Sequence, residues 1–543
     1  MPTLANLVCP KCHGPLTGEP GRELRCRRDG TRYPIVDGIP SFMMPAAEPM
    51  ALPGCALSLI LPALNEAQNL DRVLPELKKA LAALGPTHEI IVVDGGSTDG
   101  TQDMARKHEV RLVTQKLPGF GGAYRAGFEQ ARGEFLLTLD ADGSHDPAFL
   151  SDLWKARGEG DVVIASRYIP GGAAEMPAWR RLLSRVLNVT FGRGLSLPVH
   201  DLSSGFRLYH RSVLQHLKLK GTDFDVLEEI LIRALAAGYQ VHEVPFKYRA
   251  RVAGHSHARL FKFGLSYLRT FLAMWRLRNS IASADYDARA YDSVIPLQRY
   301  WQRGRFKAIT RQAAGFTQVL DVGCGSSRIL GAIPGMIGLD IQLHKLRYSR
   351  RYGNELVHGS IFELPFADAS FDCVICSEVV EHIPAQEKPF DELSRVLKTG
   401  GRLILGTPDY DRWRWRALEW VYGRVSPGGY ADEHITHYSR ANLGPYLQGK
   451  GFEIESVEYV GGSEMIFSGF PGICPNGALR APRCARRARR LTRRETNYQG
   501  LHRSRITWDR SSLEHEQAPI GENVLDGLRR DVIAEALRVQ AGA

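Results

Sequence analysis

Short apolar runs that stop at turn formers, separated by helical periodicity, recur in two long stretches of this chain. In the first, residues 57–62 form an apolar run ending at Ala63-Leu64-Asn65-Glu66, and residues 69–84 carry a helical pattern. Residues 89–93 then form a second strand, which ends in Asp94-Gly-Gly-Ser-Thr-Asp-Gly100. Residues 135–139 predict a buried strand that runs straight into Asp140-Ala141-Asp142 and turns at Gly143. In the second stretch, a strand over 317–322 meets Gly323-Cys324-Gly325, and a short strand over 336–340 ends in Asp340. A fourth strand closes at Cys376, and residues 397–405 give a turn and a fifth. Strand, turn, helix, strand is the grammar of a parallel α/β sheet, whose ligands sit beyond the strand carboxyl ends. The fold class is therefore α/β, with two such units in sequence.

The remaining stretches have other patterns. Residues 1–45 are short and β-prone, too small to bury a core without a staple such as a metal. Cys9, Cys12 and Cys26 offer three thiolates, and a tetrahedral zinc needs a fourth ligand, for which Asp29 and His13 are the nearby candidates. Residues 43–53 are a linker. Residues 280–290 are polar and form a joint between the unit at 55–280 and the unit at 290–475. Eight arginines fall between Arg480 and Arg494. The tail 476–543 is accordingly expected to be basic and disordered, with one short helix over 523–539.

Composition narrows the setting. A chain of 543 residues holds three or four domains by length. No apolar run reaches about 18 residues, so a transmembrane helix is not expected, and the first residues lack the pattern of a secretory signal. Nine cysteines are odd and sparse for this length, which favours a reducing cytoplasm over a disulfide framework. The net charge of +11 points to an anionic partner without choosing among nucleotide, phospholipid and nucleic acid.

Asp140 and Asp142, two apart and just past a strand end, can both reach one hard cation, which takes oxygen ligands. Such a cation neutralises a diphosphate leaving group, and Asp94 is placed for a nucleotide base or ribose. Around them stand Gly119-Phe-Gly-Gly-Ala-Tyr124, read as a flexible loop before a helix, then Ala165-Ser-Arg167-Tyr168 and Asp201-Leu-Ser-Ser-Gly-Phe-Arg207. Glu228-Glu229 and Glu243-Val-Pro245 follow, and then Arg249, Arg251 and Gly254-His-Ser-His257. In this order the motifs resemble the family 2 glycosyltransferases of GT-A fold, most closely the dolichyl-phosphate mannose synthase group. The resemblance implies that Pro62, Leu64, Glu66 and Asp94 line the nucleotide site. It implies that Asp140, Ala141 and Asp142 hold nucleotide and Mg²⁺ or Mn²⁺, and that Arg167 and Arg251 grip phosphates. The chain departs from that pattern at Gly95, where a second acid is usual, at Leu64, where an aromatic is usual, and at His257, where a lysine is usual.

The implied reaction moves a sugar from a nucleotide sugar to a polyprenyl phosphate, already an oxyanion near neutral pH. The protein then has to position the reactants and stabilise the departing diphosphate. A hydroxyl acceptor would instead need a base, and Glu229 is the candidate. Asp201 and Arg207 read equally as a fold-closing ion pair. A lipid acceptor demands access to a membrane. Phe261, Leu265, Leu268, Leu272 and Trp275 fall on one helical stripe beside Lys262, Arg269 and Arg276. That pattern fits an interfacial helix and fits equally a helix packed on its own domain.

In the second unit, the glycine loop and the acid at Asp340 follow nucleotide-site logic. With the Phe362–Cys376 run, Ser377-Glu-Val-Val-Glu-His382 and Leu397-Lys-Thr-Gly-Gly, they resemble the class I S-adenosylmethionine-dependent methyltransferases. That resemblance implies cofactor binding by Asp321, Gly323, Gly325 and Asp340, with Ser360 where an acid is common. Glu378, Glu381, His382, His434 and His437 are the candidate bases. Residues 1–45, through CPKC, LRC and YPIVDGIP, resemble the small zinc ribbons that activate methyltransferases. Together these readings describe a bifunctional cytoplasmic enzyme, peripheral at the inner face of the membrane, with a polyprenyl phosphate or other glycan acceptor and no nucleic-acid substrate. The rivals are a hydroxyl-directed transferase, and a scaffold with degenerate domains or an RNA-binding tail.

Overall fold

The computed structural model describes residues 6–19, 23–44, 54–215, 217–249, 260–425 and 434–472. The basic tail, most of the 43–53 linker, Arg251 and His257 lie outside the described residues. Two seven-stranded sheets organise the rest. The first runs in the order Val241–Pro245, Val162–Ser166, Arg207–His210, Phe135–Thr138, Leu57–Ala63, His88–Asp94, Arg111–Thr114. All its pairings are parallel except those of Arg207–His210, which is antiparallel to both neighbours. Leu57–Ala63 is buried along almost its whole length, as expected of a strand covered on both faces. Its next strand in sequence lies on one side and Phe135–Thr138 on the other, so the chain changes direction between them. Ligands bind in α/β sheets at such a reversal, outside the strand ends.

The second sheet runs Glu355–His358, Ile337–Asp340, Val319–Val322, Phe371–Ser377, Leu397–Pro408, Glu464–Pro471, Phe452–Val460. The last two form an antiparallel edge on a parallel sheet. Here the reversal falls between Val319–Val322 and Phe371–Ser377, beside Gly323 and Glu378.

The ribbon is stapled in a way the sequence does not disclose. Its four short strands form a separate sheet, but Leu7, Cys9, Leu24, Cys26 and Tyr33 share one apolar core with Leu364, Phe366 and Phe371. Ser41 bridges His358 at the open edge of the second sheet, and its Oγ bonds His358 Nδ1 at 2.8 Å. The ribbon thus buries its apolar face against a neighbour and covers an exposed strand edge at the same time.

The expected joint at 280–290 is ordered and buried. Arg278 is fully buried and pairs with Asp285 through two contacts of 2.7 Å, and a helix follows at Tyr286–Tyr291. Contact between the two large units is close. Gly238, at φ +86°, lies so near the His344 carbonyl that a Cβ there would stand 2.1 Å from it.

Two arginines from the region Leu343–Ser349 and just beyond connect all three units. Arg347 Nε meets Asp37 of the ribbon at 2.5 Å, and its guanidinium lies 4.7 Å from the ring centre of Tyr239 in the first unit. Arg350 donates to Asp161 of the first unit at 2.8 Å and to the Asp37 carbonyl. Arg347 and Asp37 are each only 9% exposed, so removing one strands the other's charge. Arg347→Ala should cost about 3 kcal/mol, read as a lower thermal midpoint. Arg351→Ala, which removes an exposed guanidinium over Tyr348, should leave the midpoint unchanged.

Candidate functional sites

In the first sheet, Phe135–Thr138 delivers Asp140, Ala141 and Asp142 to the point of reversal. The turn needs glycine at 143, where φ is +75° and a Cβ would stand 2.2 Å from Arg72 Nη2. Asp142 is buried and accepts from the Ser144 amide at 3.0 Å and its hydroxyl at 2.5 Å. Asp140 is half-buried, and its amide donates to Nδ1 of His145 at 3.1 Å. That bond and the burial of the ring, which pushes its pKa down to about 4, keep His145 neutral. A Cβ built on Gly205 would lie 3.3 Å from both Asp140 Oδ1 and the Tyr124 hydroxyl, so these three groups converge at the strand end. The result is a carboxylate pair on a cinched turn, with oxygen donors suited to Mg²⁺ or Mn²⁺.

Beside it, two loops are laced together. The Asn65 amide donates to Ser97 Oγ, the Glu66 amide to Thr101 Oγ1 and the Ala67 amide to Asp99. Asp94 is wholly buried, and its carboxylate accepts from Gly96, Ser97 and Gln102. Burial raises its pKa, but these donors outweigh it and hold the group below its ordinary value. Asp94 therefore shapes the loop around it. Pro62 and Glu66 are half-buried, and Leu64 is 44% exposed. A Cβ on Gly95 would meet Leu64 Cδ1 at 3.4 Å, so two of the departures from the family pattern touch and form one patch.

Several charged residues are committed to partners that their spacing does not reveal. Arg167, nearly buried, grips Asp201 through contacts of 2.8 and 2.7 Å and also donates to Ser203. Arg207, expected as the partner of Asp201, instead donates to the carbonyls of Ser204, Leu227 and Leu202. Glu229 holds the amides of Lys220 and Gly221 and pairs with Arg233 at 2.7 Å. That carboxylate closes the loop at Lys220 and Gly221. Gly121 and Gly122 belong to the first turn of the helix Phe120–Gln130 and not to a loop. A Cβ at Gly121 would stand 2.2 Å from the Gly221 carbonyl. Arg251 lies outside the described residues, while Arg249 pairs with Asp146 beside the acidic turn.

The expected amphipathic stripe faces outward. Leu265, Leu268, Leu272 and Trp275 are each about half exposed. The helix Leu260–Arg278 crosses Ala178–Gly194 where Gly194 meets Phe271. That second helix adds Trp179, Leu182, Leu183, Val186 and Val189 to the same exposed apolar set. Its inner side touches the site, since Ser184 Oγ and Asn188 Nδ2 reach Ser203 Oγ. Among the described residues, no helix is long and apolar enough to cross a membrane.

The second sheet opens on a cavity of about 590 Å³ lined by Asp321, Gly323, Gly325 and Asp340. Gly323 takes φ +74°, and a Cβ there would lie 2.2 Å from Val379. Asp340 accepts from the Gly325 amide at 2.7 Å and so ties the glycine turn to the neighbouring strand. Burial, with Asp340 nearby, pushes the Asp321 carboxyl up to about 7. Arg305 bonds Glu464 at 2.6 Å and Glu378 at 3.1 Å. A glycine cradle and a ring of buried acids fit a cationic nucleoside cofactor. Arg305 and Glu464 carry no motif that would have announced them.

In the ribbon, the ligand atoms of Cys9, Cys12, Cys26 and Asp29 all lie within 4.8 Å of one another. Asp29, and not His13, stands as the fourth group.

Three stretches of the chain match known protein families. Residues 58–218 match glycosyl transferase family 2, residues 320–405 a methyltransferase domain and residues 2–38 the Trm112p-like proteins. The chain is 36% identical over 217 residues to a polyprenol monophosphomannose synthase from Mycolicibacterium smegmatis, covering 36% of this chain and 79% of that protein. It is 34% identical over 211 residues to a dolichol-phosphate mannosyltransferase from Pyrococcus furiosus, covering 37% of this chain and 58% of that protein. A crystal structure of glucosyl-3-phosphoglycerate synthase from Mycobacterium tuberculosis, with Mn²⁺, UDP and glucosyl-3-phosphoglycerate, aligns at 22% identity and a TM-score of 0.33. The alignment covers 42% of this chain and 81% of that one.

Glu228, beneath the first site, is fully buried, and neither carboxylate oxygen has a hydrogen-bond partner among the described residues. Burial pushes its pKa up to about 8. A carboxyl raised on folding holds its proton longer in the folded than in the unfolded chain. Its contribution to stability is therefore lost as pH rises from the ordinary carboxylate range to about 8. Glu228→Gln should raise the thermal midpoint at pH 8.5 relative to the parent, and the gain should shrink steadily toward pH 5.

Proposed function

The chain belongs to glycosyl transferase family 2, and from that premise we propose that its first large unit transfers a sugar from a nucleotide sugar to a polyprenyl phosphate. The observation that carries this reading is the carboxylate pair Asp140 and Asp142 on a cinched turn at the sheet's point of reversal. Asp140 and Asp142 would hold Mg²⁺ or Mn²⁺, which neutralises the charge of the departing nucleoside diphosphate. Pro62, Leu64, Glu66 and Ala141 line the nucleotide side, and Asp94 fixes the loop next to them. Arg167 is locked to Asp201 in the wall of the site, and Arg251, which lies outside the described residues, is assigned to the phosphates. A phosphate acceptor needs no base, which agrees with the structural engagement of Glu229.

Access to a lipid acceptor is supported by the exposed apolar face of Ala178–Gly194 and Leu260–Arg278. Arg180, Arg181, Arg185, Arg269 and Arg276 border it. Apolar side chains flanked by cations match an anionic lipid surface, so this unit sits peripherally on the cytoplasmic leaflet. The second large unit is a methyltransferase acting on a glycan or lipid-linked sugar. Asp321, Gly323, Gly325 and Asp340 would hold S-adenosylmethionine, which would supply the methyl group. Cys9, Cys12, Cys26 and Asp29 would hold zinc, an ion that takes four such ligands.

Purified protein incubated with a panel of nucleotide sugars, polyprenyl phosphate and Mn²⁺ should form a glycolipid. Asp142→Asn should abolish that turnover while S-adenosylmethionine binding by calorimetry stays unchanged. Glycolipid formation by the Asn variant would remove the assignment. Leu182→Glu combined with Leu265→Glu should lower binding to anionic phospholipid vesicles at least about tenfold. Transfer to a short, water-soluble isoprenyl phosphate should persist in that variant. Zinc measured in the purified chain should be at least about one per molecule. Asp29→Ala should lose it to a chelator faster than the parent, and His13→Ala should not.

A further inference from the structure

The strand Phe371–Ser377 leaves the second sheet at its point of reversal and enters a strained turn, with Glu378 at φ +58°. A single 3₁₀ turn follows at Val380–His382. The Glu381 carbonyl accepts from the amides of Ile435 at 2.8 Å and Thr436 at 3.0 Å. The Thr436 hydroxyl returns to the Ile383 carbonyl at 2.7 Å. These bonds draw His434 against the 3₁₀ turn, across more than fifty residues of chain.

The three side chains so gathered form a donor set. One ligand atom from each of Glu381, His382 and His434 lies within 4.8 Å of the other two. Glu381 is fully buried. Its Oε2 accepts from Thr407 at 3.0 Å, while Oε1 has no hydrogen-bond partner among the described residues. His434 is oriented from behind. Its Nδ1 lies 2.6 Å from the Tyr410 hydroxyl and 3.3 Å from Glu419, and its ring stacks on Trp415. Nε2 is thereby the nitrogen left to offer. A carboxylate behind an imidazole is the usual support of a metal-bound histidine, fixing its tautomer and raising its basicity. A buried carboxylate oxygen with nothing to accept from is costly, and a cation between it and two imidazoles removes that cost.

We propose that Glu381, His382 and His434 bind a divalent transition-metal cation at the acceptor end of the methyltransferase cavity. One carboxylate and two imidazoles suit Mn²⁺, Fe²⁺, Co²⁺ or Zn²⁺ and leave coordination positions open. His382 and His434 line the same cavity as Gly323 and Asp340, so the open positions face the space beside the cofactor cradle. The acceptor class that fits is a molecule with two neighbouring hydroxyls, which chelate one cation and are acidified by it. This acceptor assignment rests on the methyltransferase reading of the cavity; the cation site does not.

The test uses the full chain, stripped with a chelator and titrated with Mn²⁺, following free Mn²⁺ by electron paramagnetic resonance. Mn²⁺ is chosen because thiolates such as those of the ribbon bind it poorly. Asp140→Asn with Asp142→Asn serves as the background that silences the other carboxylate pair. That background should still bind about one Mn²⁺. Adding His434→Ala should weaken binding about 100-fold, and adding Glu419→Gln, which removes only the support behind the ring, about tenfold. Calorimetry with S-adenosylmethionine on the same variants reports separately whether the cavity is intact and whether the cofactor reading holds. Loss of Mn²⁺ binding in the background, or equal affinity in the background and both added variants, overturns the cation site. Retained Mn²⁺ with no S-adenosylmethionine binding keeps the cation site and removes the methyltransferase assignment.

Discussion

The arginine pair at 347 and 350 is the contact on which the arrangement of the three units depends. A ribbon of about forty residues cannot bury enough apolar surface to stand alone. Here it completes its core on Leu364, Phe366 and Phe371. Arg347 then fixes the ribbon's Asp37 and covers Tyr239 of the first unit, while Arg350 reaches Asp161. Each guanidinium is partly removed from water, and its charge is met by these carboxylates. Buried pairs of this kind add little net stability but penalise any arrangement that separates them. The ribbon's position on the methyltransferase unit, and that unit's position on the glycosyltransferase, are specified by the same few ionic contacts.

The two sites treat charge in opposite ways. Around the acidic turn of the glycosyltransferase, nearly every ionic group is matched by a partner: Arg167 by Asp201, Glu229 by Arg233, Asp94 by three donors in its own loop. Matched groups leave the field of the site to Asp140 and Asp142. The methyltransferase cavity instead is lined by Asp321, Asp340 and Glu378, with Glu378 and Glu464 on Arg305 and the buried Glu381 nearby. Burial pushes Asp321 up to about 7 and Glu381 up to about 8. This excess of buried acid makes Asp321 and Glu381 hold their protons to higher pH than an exposed carboxyl does. A cofactor bearing positive charge, and a metal ion at its acceptor end, are the ligands that this excess favours.

The exposed apolar face ties the first site to its surroundings. Ala178–Gly194 presents Trp179, Leu182 and Val186 outward while Ser184 and Asn188 on its inner side reach the hydroxyl held by Arg167. One helix therefore connects an apolar surface to the buried ion pair of the site over a single helical diameter. Scattered exposed leucines are ordinary, but nine large apolar side chains exposed on two helices that touch at Gly194 and Phe271 are more than the scatter of an ordinary surface.

Local information was enough for the parts of this protein that are themselves local. The runs at 57–62, 89–93 and 135–139 stop at turn formers, and the structure has strands at Leu57–Ala63, His88–Asp94 and Phe135–Thr138. The placement of Asp140 and Asp142 on one turn, and of Gly323, Gly325 and Asp340 in one cavity, was legible because these residues are neighbours in the chain or end successive strands. Partners distant in sequence were not legible. Spacing suggested Arg207 for Asp201, yet the sheet brings Arg167 to it; it left Asp29 and His13 level, yet folding sets Asp29 among the thiols. The helical stripe at 261–276 was ambiguous because periodicity describes a face without saying what covers it, and only packing leaves Leu265 and Trp275 open. Glu381, His382 and His434 read singly as bases, since only the fold of residues 434–436 onto the 3₁₀ turn makes them one donor set. Chain order dictates which side chains a turn presents; long-range closure decides which charges meet.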